Sequence, residues 1–176
     1  MHVFVDESER NGTYLLCAAI YDPADLPKAR AILRGFAKPG QRRVHMVKER
    51  DSRRREILGA IATSRVRGRV YLCGGPAVAA REACLWQLLG DLTIARASTN
   101  SLILESMDGQ DRRDRETIAK ARKAIPSLRP LSYAQLRAHE EPLLAVADCI
   151  AWAYGAGGDW RKRINPLIEK ITELRL

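Results

Sequence analysis

The sequence predicts an α/β fold, a mixed five-stranded sheet with helices on both faces. Three observations carry that prediction. Two strand-like runs, 2–6 and 13–21, are separated by a short stretch ending in Asn11 and Gly12, the dipeptide that favours a tight antiparallel hairpin. Beyond them helix-like and strand-like segments alternate, as in sheets whose later strands are joined by helical crossovers. The chain of 176 residues is about one domain long and large enough to bury its own core, so a single domain over 1–176 is expected.

Each element has its own signal. Residues 2–6 alternate in polarity and are rich in Val and Phe, and 13–21 is a nearly unbroken apolar run, expected to be buried on both faces. Residues 24–36 read as a helix ended by Gly35 and Pro39, 42–47 as an extended stretch, and 51–63 as a second helix that turns Ile57, Leu58 and Ile61 inward. A strand over 66–73 is stopped by Gly74, Gly75 and Pro76. Residues 79–96 place Leu85, Leu88, Leu89 and Leu92 at the spacing of one buried helix face. Then come a strand at 101–107, a polar helix at 111–125 ended by Pro126, and a short strand at 128–134. Pro142 suits the first residue of a helix running to Tyr154, which Gly155, Gly157 and Gly158 are expected to break before a last helix at 165–174. Three leading strands with two later ones reached through helices make the ribonuclease H-like arrangement.

Composition excludes several classes. With 46% apolar and 29% charged residues the chain resembles neither a disordered nor a fibrous protein. No apolar run is long enough to span a bilayer, and the opening MHVFVDESER has neither a basic n-region nor an h-region, so a cytoplasmic location without membrane association is expected. The four cysteines lie far apart among apolar neighbours and read as small buried hydrophobes rather than a zinc site or disulfide framework. The net charge of +9 is uneven. Residues 26–81 hold fifteen basic and three acidic side chains, so the rest of the chain carries fifteen basic against eighteen acidic. Such a block points to an anionic partner or, equally, to a solvated basic surface.

Three carboxylates stand in apolar surroundings. Asp6 ends the first strand on the parity of His2 and Phe4, Glu105 lies in LILESMD on the parity of Ile103, and Asp148 lies in LLAVADCIAWA with Leu144 and Trp152 one turn either side. An ionised carboxylate buried without a partner costs several kcal/mol, so each needs a cationic neighbour, a raised pKa or a metal. Converging, Asp6, Glu105 and Asp148 would be metal ligands and catalytic residues, holding Mg2+ or Mn2+ for attack on a phosphodiester. Asp108 and Asp111 are reserve ligands. A salt bridge to arginine is the alternative for each acid.

The stretches FVDES, VHMVKERDSRRREIL and PLLAVADCIAWAYG, with the tail WRKRINPLIEKI, resemble the domain-of-unknown-function 3800 family of bacterial proteins. That family opens with a strand ending Asp-Glu-Ser-Gly, carries a His before a basic helix, and closes on a helix bearing Ala-Asp. The resemblance implies a ribonuclease H-like fold and points to Asp6, Glu7, Ser8, His45, Glu105 and Asp148. Glu9 stands where the family has Gly, so the turn after the first strand is expected to differ, with Gly12 supplying the freedom.

His45 is the fourth catalytic candidate, positioned to hold a phosphate or protonate a leaving oxygen, or else bonded to a backbone carbonyl. Arg42, Arg43, Lys48, Arg53, Arg54 and Arg55 are candidate substrate-binding residues. Arginines in the first turn of a helix oppose its dipole, which makes sense if they hold phosphate there, or if Asp51 and Glu56 compensate them. The function expected is metal-dependent phosphodiester hydrolysis on nucleic acid. The alternatives are a non-catalytic ribonuclease H-like module that binds nucleic acid or protein, and a phosphatase using Asp6 as nucleophile, which lacks the second aspartate because Ser8 stands there.

Overall fold

The computed structural model describes residues 1–37, 43–94 and 101–176. Strand β1 (His2–Arg10) turns through Asn11 and Gly12, at φ 52° and 71°, into β2 (Thr13–Tyr21). Left-handed backbone at both turn positions is what a two-residue hairpin with matching twist requires, and Asn-Gly provides it. The hairpin pairs Arg10 with Thr13, so β1 runs four residues past Asp6 and Glu9 sits within the strand.

Helices α1 (Leu26–Gly35) and α2 (Asp51–Ala62) follow, with a short 3₁₀ turn at Met46–Lys48 inside the stretch expected to be extended. Then come β3 (Arg67–Gly74), α3 (Ala77–Ile94), β4 (Ser101–Glu105), α4 (Asp111–Ala124), β5 (Ser132–Leu136), α5 (Leu144–Ala156), α6 (Gly158–Ile164) and β6 (Ile168–Leu174). The sheet order is β5-β4-β1-β2-β3-β6. β1, β2 and β3 are antiparallel neighbours, whereas β4 lies parallel to β1 and β5 parallel to β4. The first five strands therefore form the expected mixed ribonuclease H-like sheet.

The sixth strand corrects the expectation of a final helix. Ile168, Ile171 and Leu174 fit helical spacing, but 168–174 alternates half-buried and exposed in strict period two and pairs parallel with β3. One inward position is Lys170, whose ammonium meets the buried Asp91 carboxylate at 2.7 Å, and a polar inward residue blurs the strand pattern. Gly68 admits the new edge: a Cβ there would lie 2.7 Å from Ile168 Cδ1.

Two cores flank the sheet. Phe4, Cys17, Ala19, Tyr21, Val70 and Ile103 face α1, α2 and α5, while Val3, Val5, Leu16, Ala18, Leu102 and Leu104 face α3 and α4. β2 is buried along its whole length after Thr13. Every residue of α5 from Leu144 to Tyr154 is buried, the pattern of a helix covered on all sides. Gly155 does not break this helix. It lies inside α5, and a Cβ there would stand 3.0 Å from Arg10 Cδ, so its lack of a side chain lets Arg10 lie across the helix. All four cysteines are buried and free. Among the described residues no helix is long and apolar enough to cross a membrane.

Candidate active site

Parallel pairing of β1 with β4 ends at Val5 opposite Leu104, which sets Asp6 and Glu105 side by side one residue further on. Both share the parity of the face covered by α5, whose Asp148 points to the same side. Asp6 is 6% exposed; its Oδ1 accepts the Glu7 backbone N–H at 2.8 Å, and its carboxyl lies beside that of Glu105. Burial first, then the charge and contact of Glu105, then the charges of Glu7 and Asp148 push the Asp6 pKa well above the usual carboxylate range.

Asp148 Oδ2 accepts the Met46 backbone N–H at 3.2 Å and meets His45 Nδ1 at 3.2 Å. His45 is thus bonded to a carboxylate rather than to a backbone carbonyl. Arg43 Nη1 donates to Glu105 Oε1 at 2.7 Å. Glu105 also opens onto a cleft of about 400 Å³ lined by Arg43, Ser106, Asp108, Arg137 and His139.

The buried acids divide in a telling way. Glu49 meets Arg53 at 3.1 Å, Asp91 meets Lys170 at 2.7 Å, and Asp114 and Glu141 meet Arg81 and Arg30, each at 2.8 Å. Among the described residues Asp6 and Asp148 have no lysine or arginine partner, although both are buried.

Other sequence candidates have definite places. Glu7 points to the opposite face, where the buried Arg81 guanidinium bonds Glu7, Tyr14 and both oxygens of Asp114. Burial raises the Glu7 pKa despite Arg81 beside it. Ser8 is half-buried in register with Leu15. Asp111 accepts Ser106 Oγ and the Met107 N–H at 2.7 and 2.9 Å, serving the start of α4, whereas Asp108 is exposed at the cleft.

The basic segment is only partly open. Arg53 donates to the Phe36 carbonyl at 2.5 Å, and Arg54 donates to the Met46 and Val47 carbonyls at 2.9 and 3.1 Å and to Asp51 at 2.7 Å. These two brace the segment carrying His45, and Asp51 compensates Arg54 as one sequence alternative held. Lys48 and Arg55 are exposed, and Arg42 lies outside the described residues. Arg137 and His139, on the loop before α5, went unread in the sequence. Their signal was faint: two isolated side chains in RAHEEP, with no periodicity to mark them.

The donor set fits a hard divalent cation. Two neighbouring carboxylates whose charges oppose each other, Asp6 buried and Glu105 half-buried, are relieved by a cation between them. Among the described residues no three His, Cys, Asp or Glu side chains are gathered closely enough to hold a metal by themselves. Magnesium usually binds through one or two carboxylates, waters and substrate phosphate, so a complete protein cage is not required. No protein-family model matches the chain, and no curated protein matches it.

Proposed function

We propose that the protein is a divalent-metal-dependent phosphodiesterase acting on nucleic acid, a divergent relative of the domain-of-unknown-function 3800 family. The observation that carries this reading is that Asp6 and Asp148, both buried, have no lysine or arginine partner among the described residues and share a face with Glu105. Asp6 and Glu105, with Asp148 nearby, would hold Mg2+ or Mn2+, which when bound supplies charge to polarise a phosphoryl oxygen and acidify a water.

The chain's own residues do the rest. Arg43, at the cleft beside Glu105, takes a phosphate oxygen, with Arg137 on the facing loop. Asp148 bonds His45 Nδ1 and so fixes the ring, leaving Nε2 to deliver a proton to the leaving oxygen. Lys48 and Arg55 extend the positive surface. Free buried cysteines accord with a reducing, cytoplasmic setting.

The test is incubation with single-stranded and duplex DNA and RNA in Mg2+, in Mn2+ and in chelator. Metal-dependent cleavage abolished by Asp6→Asn and Glu105→Gln is expected. A protein that binds nucleic acid but never cleaves it would overturn the enzyme reading in favour of a non-catalytic module. That second reading draws on the Arg43–Glu105 and His45–Asp148 pairs, which satisfy two of the acids without metal.

A further inference from the structure

Beyond Asp148 the same face carries an alternating stack of arginines and aromatic rings. Trp152, one turn along α5 from Asp148, has the Arg54 guanidinium 4.4 Å and the Arg10 guanidinium 5.7 Å from its ring centre. Trp160 of α6 meets Trp152 edge-on at 5.2 Å, and Arg55 lies over Trp160 at 5.4 Å. Four elements contribute to one ladder: β1, α2, α5 and α6.

From these contacts we infer that the ladder is a track for the sugar-phosphate backbone of a nucleic acid entering or leaving the carboxylate site, an inference that rests on the function proposed above. A guanidinium held over a ring by cation–π attraction is already restrained and loses little freedom on meeting a phosphate. Arg54 spends its edge on the Met46 and Val47 carbonyls, thereby joining the ladder to the segment that bonds Asp148. Among the described residues Arg10 and Arg55 meet no carboxylate, so their charges remain for a ligand. Gly155 has a part here, because it is the bare backbone that lets Arg10 pass close to α5 on its way to Trp152.

The ladder also states what it does not read. Arginines occupy the faces of Trp152 and Trp160, so bases find no free stacking platform, and recognition is confined to phosphate. Binding should therefore be steeply salt-dependent and indifferent to base composition.

The experiment measures binding of fluorescein-labelled oligo-dT and oligo-dA by anisotropy, in chelator, across a potassium chloride series. Arg10→Gln with Arg55→Gln should make the log–log salt slope shallower by roughly 1.4, at about 0.7 per single-strand phosphate contact. The same charge removed from the far face, Arg113→Gln with Lys123→Gln on α4, should leave the slope unchanged. If wild type binds and both double variants behave alike, the ladder is wrong while the function proposed above stands. A wild type that neither binds nor cleaves any nucleic acid overturns both. Should the ladder variant fail to fold, Trp86→Phe leaves Trp152 and Trp160 as the two tryptophans: salt-reversible change in their emission on adding oligonucleotide is expected, and unchanged emission on binding would refute the track.

Discussion

Arg43 and Glu105 form an ion pair at 2.7 Å, and Glu105 in turn lies beside Asp6. One guanidinium thus neutralises the end of a carboxylate pair that a cation would otherwise occupy. Arg43→Gln is expected to lower stability in chelator while enlarging the upward shift in melting temperature produced by Mn2+, because a competitor for Glu105 is gone. On the function proposed above cleavage should fall as well, since Arg43 is there the contact to phosphate. A metal-induced shift smaller than wild type would show that Arg43 helps rather than competes with the cation.

Asp148 bonds a half-exposed histidine and a backbone N–H, not an arginine. Asp148→Asn keeps an oxygen for the Met46 N–H, so urea melts in chelator should change by less than about 1 kcal/mol. Asp148→Ala strands that N–H and should cost about 1–3 kcal/mol. Equal losses for the two substitutions would mean that the charge, not the hydrogen bond, is what the fold uses.

Arg81, 3% exposed, holds Glu7, Tyr14 and Asp114 together behind β1. Arg81→Met leaves two acids without their cation and should destabilise by about 3–5 kcal/mol in urea denaturation. Far smaller loss would imply that water reaches the network.

Asp91 has a lowered pKa: burial alone would raise it, but Lys170, Tyr71 and Gln87 together outweigh that. A carboxylate whose folded pKa lies below its unfolded value contributes stability above the unfolded value, and the contribution is lost as pH falls through the folded one. The Asp91 contribution should therefore be lost on acidification below the unfolded aspartate value of about 3.9, and Lys170→Met should remove that component from the pH profile of the urea midpoint. Hydrogen exchange should also show β6 opening more readily in the variant, because Lys170 is its tie to α3.

The hairpin and the two faces were legible because Asn11–Gly12, strand parity and the leucine spacing of α3 are local signals, set by a few neighbouring residues. Parity also placed Asp6 and Glu105 on one face. β6 was not legible: its inward Lys170 depends on Asp91, far away in sequence, and only pairing with β3 reveals the period of two. The roles of Arg53 and Arg54 were hidden for a similar reason. A run of basic residues reads as surface charge, whereas here two of them reach across to the carbonyls of Phe36, Met46 and Val47. Gly155 looked like a helix stop until Arg10, from the other end of the chain, was found in the space it leaves.

The burial of α5 from Leu144 to Tyr154 imposes an order of events during synthesis. Asp6 leaves the ribosome on the first strand, but the helix that covers it begins only at Leu144. Until α5 emerges, Phe4, Cys17, Ala19, Tyr21 and Ile103 lack the helix that packs on them, and Asp148 is absent from the face of Asp6 and Glu105. A nascent chain of the first 140 residues should therefore carry two strand acids over an uncovered apolar face, a species for chaperones to hold, without a complete candidate site. Cover of these strand residues and the arrival of Asp148 are then a single late step, made by one helix.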